Sequence, residues 1–158
     1  MKIFFLFFFL FGATKTFSQD TIRIRQIDSL AKAINNSNFQ IHTDSMSQDF
    51  PQVGLWMKTY LITVTDSNQL KKYVNKVYST QLVSGVSTMA TTSSSFYFDQ
   101  NKLIKVEEFI IEDNKENHAD WYYADDKPLY YTLKNEKSEE RSKFLLNIAK
   151  TMLKNIQQ

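Results

Sequence analysis

Phe96-Tyr97-Phe98-Asp99-Gln100-Asn101-Lys102-Leu103-Ile104-Lys105-Val106 is the stretch on which the fold turns. An aromatic run, a short polar break and a β-branched run are what a tight hairpin between two strands requires. The same grammar recurs downstream, where residues 118–124 and 129–135 flank Asp125-Asp126-Lys127-Pro128. Pro128 has no N–H to give to a ladder, so it belongs to the turn. Residues 112–117 join the two hairpins, and four consecutive antiparallel strands make a meander.

Working outward, residues 138–156 read as a helix. Glu139 and Glu140 suit its first turn, where the macrodipole favours acid, and Leu145, Ile148, Ala149, Met152 and Ile156 form one apolar stripe. Ile27, Leu30, Ala31 and Ile34 stand at i, i+3, i+4 and i+7, which predicts a helix ahead of Asn35-Asn36-Ser37. Phe39 and Ile41 suggest a short strand, and the turn formers between Thr43 and Gly54 a loop. Residues 55–65 alternate as a strand, with Trp56, Tyr60, Ile62 and Val64 on one face and Lys58 the exception. Leu70, Tyr73, Val74 and Val77 again have helical spacing behind a cap at Asp66 or Ser67. Residues 79–95 hold ten Ser or Thr and read as a loop or weak edge strand. The expected fold is therefore α+β, an antiparallel β-meander sheet of about five to six strands with helices packed on one face.

The N-terminus has a different character. Seven of the 13 Phe fall in the first 17 residues, and Ile3 to Phe11 is apolar without interruption. Lys2 supplies a positive start, and Thr16 and Ser18 are small residues suited to cleavage before Gln19. Residues 1–18 thus read as a signal peptide, cleaved between Ser18 and Gln19, and residues 19–158 as a single α+β domain. The apolar run is too short to span a bilayer, which takes about 20 residues, so no membrane span is expected after cleavage. Cleavage would take Lys2 and Lys15 from the 19 basic residues and leave 17 against 17 acidic ones. That balance offers nothing to nucleic acid or an anionic membrane. The absence of cysteine excludes disulfides and thiolate chemistry.

Three sets of residues could carry a function. Trp121, Tyr122, Tyr123 and Tyr130 place aromatics on both sides of a hairpin, and one side could present a platform to an exported protein, a peptide or a glycan. His42 and Asp44 lie two apart, so on a strand they share a face, as the base of a small hydrolase and its orienting carboxylate would. An apolar ligand held between sheet and helices is the third reading, and it needs a cavity of about 300 Å³ or more. The acids between Glu112 and Asp126 fail as an EF-hand loop, because Lys115 and His118 stand where a ligand and the turn glycine belong. No cofactor is implied. The reading that results is a small non-catalytic binding protein, periplasmic or secreted.

The leader is similar to those of small exported proteins of Gram-negative bacteria. The stretch from Phe96 to Val106 resembles hairpins of small periplasmic α+β families, including PepSY-like and beta-lactamase-inhibitor-like proteins. The resemblance covers 11 residues and transfers no functional residue.

Overall fold

A computed structural model describes the backbone of residues 4–112, 115–133, 135 and 137–156, and the side chains of these except 4–18, 83, 112 and 156. The elements are α1 (Phe4–Asn35), β1 (Gln40–Phe50), a 3₁₀ turn (Pro51–Val53), β2 (Leu55–Asp66), β3 (Gln69–Val83), β4 (Val86–Asp99), β5 (Lys102–Glu112), β6 (Lys115–Ala124), β7 (Lys127–Tyr131) and α2 (Ser138–Ile156). All seven strands form one antiparallel sheet in chain order. The fold is α+β, built on the expected meander and extended by three strands at its N-terminal side.

The turns explain the regularity. Ser67-Asn68, Ser84-Gly85, Gln100-Asn101 and Asp125-Asp126 all have positive φ at both positions. Two consecutive left-handed residues make the turn whose twist matches that of paired strands. Gly54 is required for a different reason, since a Cβ there would meet the Leu82 carbonyl oxygen at 2.8 Å.

Besides Pro128, which lies in β7 opposite Tyr123 and not in the Asp125-Asp126 turn, four expectations change. The segment from Leu70 to Val77 is strand, not helix. Ser67-Asn68 reverses the chain so that Asp66 pairs with Gln69, and Tyr73 and Val77 fall on one face while Val74 and Tyr78 fall on the other. Apolar residues on both faces of a strand hide its two-residue period and imitate helical spacing. The expected loop from Thr43 belongs to β1 as far as Phe50, and the hydroxyl-rich segment forms the paired ends of β3 and β4. These changes raise the strand count among the described residues to seven.

The fourth difference concerns the helices. Val106, Trp121 and Tyr131 are cross-strand neighbours, as are Lys105, Tyr122 and Tyr130 one residue away. Alternation puts these two rows on opposite faces. Leu145, Leu146 and Ala149 of α2 pack into the core formed by Phe96, Phe98, Leu103, Val106, Trp121 and Tyr123. Asp28 and Asn35 of α1 instead reach Lys105, Tyr122 and Tyr97 on the other face. The sheet is thus sandwiched at its β4–β7 end, because both of its faces there are rich in aromatic residues and each needs a cover. Burying a large apolar side chain contributes about 1.5–3 kcal/mol, so the α2 side holds the main core. Among the described residues neither helix packs on β1 or β2, whose residues are all exposed or only partly buried. Among the described residues, no helix is long and apolar enough to cross a membrane.

Candidate interaction surface

The aromatic residues singled out in the second hairpin are mostly used internally. Trp121 and Tyr123 are buried under α2, and Tyr122 is buried under α1. Tyr123 donates its hydroxyl hydrogen to the Ser142 carbonyl at 3.0 Å, and Tyr122 donates to Asp28 at 3.0 Å. Burial comes first in raising both phenols, each pushed up to about 12. Tyr130, stacked at a tilt on Tyr122 with centroids 6.0 Å apart, is the exposed member at 38 %.

Beneath α1 lies a polar network that the sequence did not announce. Lys105, with only 8 % of its side chain exposed, stands 2.9 Å from Asp28, 3.0 Å from Glu107 and 3.6 Å from Asp120. Its ammonium also sits 5.1 Å from the Tyr122 ring centroid. Burial disfavours its charge, but the hydrogen bonds to Asp28 and Glu107 outweigh burial and hold it protonated well above the ordinary lysine value. A lysine so held is a structural cation and not a nucleophile.

The network continues along the same face. Lys72 donates to Asn35 at 2.7 Å, the Asn35 amide donates to the Tyr97 hydroxyl at 3.2 Å, and Tyr97 donates to Glu107 at 2.7 Å. Burial opposes Glu107 ionisation, yet the bonds from Tyr97 and Lys105 keep its carboxyl below the usual range. Asp120 moves the other way, because burial exceeds the help of Lys105 and His118. Its Oδ1 lies 3.3 Å from His118 Nε2 but lacks hydrogen-bond alignment. Together these groups anchor α1 to the sheet by polar contacts, with Ile27 and Ala31 as the buried apolar part.

His42 and Asp44 do share a face of β1, with Nε2 and Oδ2 3.1 Å apart. Their side chains are 75 % and 69 % exposed on the sheet edge, and neither lines a described cavity. A cleft of about 470 Å³ lies on the α2 face between β5, β6 and the start of α2, and includes Ile110, Trp121, Leu133 and Arg141. Arg141 is occupied there, since it forms a two-pronged ion pair with Glu108. Among the described residues no group of three or more His, Asp or Glu is placed to hold a metal. Of the acidic stretch, Asp113 lies outside the described residues.

The open end of the sheet carries a second aromatic group. On the α1 face, Trp56, Lys58 and Tyr60 alternate down β2 with Thr80, Tyr78 and Lys76 opposite them on β3. Tyr60 and Tyr78 meet edge to face with centroids 5.9 Å apart. Lys58 lies 5.0 Å over Tyr60, and Lys76 lies 4.9 Å over Tyr78. Trp56 is 41 % exposed at the end of this strip. Lys58, the exception in an otherwise apolar row, was the sequence signal: a cation between two aromatics marks a face that meets water. No family model, curated protein or solved structure matches the chain.

Proposed function

We propose that the chain is a small exported, non-catalytic binding protein that engages another exported protein, a peptide or a glycan through the uncovered half of its sheet. The observation that carries this reading is the Trp56–Lys58–Tyr60–Lys76–Tyr78 strip, which lies on the open part of the sheet. Tyr and Trp bury a large area with few rotors to fix, and a lysine over a ring adds a polar handle at the same spot. The ordered strands beneath hold these side chains in place before a partner arrives, which reduces the entropy lost on binding.

Export rests on the leader of residues 1–18. Mass spectrometry of the chain from the exported fraction should find a new N-terminus at Gln19. A chain that keeps Met1 to Ser18 and stays in the cytoplasm would remove the periplasmic or secreted assignment. For binding, Trp56→Ala combined with Tyr78→Ala should abolish capture of exported proteins or glycans on an array while leaving the circular dichroism unchanged. Tyr130→Ala tests the exposed remnant of the hairpin platform in the same assay. If capture survives the first pair and disappears with Tyr130→Ala, the binding face lies at the covered end instead.

A further inference from the structure

The two edges of the sheet differ in kind. β7 has five residues, includes Pro128, and follows a register shift between Tyr122 and Tyr123. β1 has eleven residues, every one exposed, and pairs with β2 without a register shift. It contains no lysine and no proline, the usual devices that discourage pairing at an edge.

The direction of its free hydrogen-bonding groups can be derived. Leu82 donates its N–H to the Gly54 carbonyl at 2.8 Å, so even-numbered residues at this end of β3 face β2. The two-residue turn between Val83 and Val86 requires the same, because its flanking pair must be hydrogen-bonded. Alternation then directs Leu55, Met57, Thr59, Leu61 and Thr63 of β2 toward β1, where their partners are Phe50, Gln48, Met46, Asp44 and His42. The backbone groups of Ile41, Thr43, Ser45, Ser47 and Asp49 therefore all point outward.

We propose that this edge pairs with β1 of a second copy of the chain, antiparallel about a two-fold axis at Ser45. That register sets Thr43 opposite Ser47, Ile41 opposite Asp49, and Ser45 opposite its own copy, all as hydrogen-bonded pairs. Five such pairs exchange two bonds each, about ten in all, and satisfy every outward group of the strand. Between them, His42 meets Gln48, Asp44 meets Met46, and Gln40 meets Phe50, so no like charges stand opposite one another. A shift that centres the axis on Asp44 would oppose two carboxylates directly, which destabilises a pair.

Across the new ladder Met46 meets Asp44 and Ile41 meets Asp49, so these two apolar side chains, 49 % and 69 % exposed in the single chain, gain neighbours. The product is a continuous two-fold sheet with both aromatic strips on one side. A second copy fits this edge better than an unrelated peptide because the strand is complementary to itself along its full length.

Analytical ultracentrifugation of the purified chain should show a dimer that dissociates on dilution. Ser45→Pro removes an outward N–H and leaves the β1–β2 ladder intact; it should shift the population to monomer with unchanged circular dichroism. The chain lacks cysteine, so Ser45→Cys tests the axis independently of how the proline variant folds. Paired Cα atoms at about 5.5 Å accept a disulfide, and mild oxidation should give a covalent dimer. Ser47→Cys, facing Thr43, should not cross-link. A monomer at all concentrations, a dimer indifferent to Ser45→Pro, or cross-linking at residue 47 in place of 45 would each overturn the proposal.

Discussion

Trp121 and Trp56 occupy strands of one sheet; Trp121 lies against Tyr131, and Trp56 stands opposite Thr80 at the end of the strip that holds Tyr60 and Tyr78. One is buried and the other is 41 % exposed. Lysines divide in the same way: Lys105 is enclosed by three carboxylates, whereas Lys58 and Lys76 lie over tyrosine rings in the open half. The difference lies in the cover. Where α1 and α2 sandwich the sheet, aromatic residues build the core and charges must find partners. Where no helix sits, the same residue types remain available to another molecule.

The widest separation between the halves should come from the two tryptophans. Trp121→Ala should cost about 3–5 kcal/mol in urea unfolding, as for other buried aromatic truncations. Trp56→Ala should cost below about 1 kcal/mol, the range of exposed substitutions. Equal losses at the two sites would break the division into covered and open halves.

Next in size is the α1 anchor. Lys105→Ala leaves Asp28, Glu107 and Asp120 facing one another, and should cost about 2 kcal/mol, less than a fully buried pair because Asp28 is 45 % exposed. Hydrogen exchange should quicken through the part of α1 around Asp28 while α2 stays protected. Uniform deprotection of both helices would show that the two faces are one cooperative unit.

The same network makes an opposed pair of pH effects. Glu107 has a depressed folded pKa, so its contribution is present above the unfolded value of about 4.3 and is lost as pH falls through the folded value. Glu107→Gln should therefore destabilise at neutral pH, and the deficit should vanish in acid. Asp120 has a raised folded pKa, so its protonated form is compatible with folding and stability is lost as pH rises through that value. Asp120→Asn should be stabilising at pH 7 and neutral in acid, where both forms are uncharged. Parallel pH profiles for the two variants would refute the assignment of opposite roles.

The smallest effect lies in the open half. Ser67 and Asn68 hold φ of 49° and 65°, and Ser67→Asn with Asn68→Gly supplies the residues that such a turn prefers. The pair should raise stability by about 0.5 kcal/mol by chemical denaturation, without altering the Trp121 region.

Much of the covered half was legible because its signals are local. The meander from Phe96 onward, its polar turns and the stripe through Leu145 and Ala149 all lie within short windows. The strand period of β3 is hidden because Tyr73, Val74, Val77 and Tyr78 supply apolar groups to both faces, which erases alternation. Residues 79–95 concealed two strands because threonine and serine suit a pleated surface without marking a face. The candidate site was legible only in kind. Aromatic residues on hairpins were evident, but the sequence could not say that Tyr122 would receive a helix residue 94 positions away.

From sequence alone came the α+β class, the order of the later strands, the C-terminal helix and the absence of thiol chemistry, since each follows from neighbours in the chain. Tertiary structure alone decided that α1 and α2 take opposite faces, that Lys105 is enclosed, and that β1 ends the sheet as a bare edge. Those outcomes depend on contacts between distant segments, and burial is a property of what covers a residue, which local periodicity does not record.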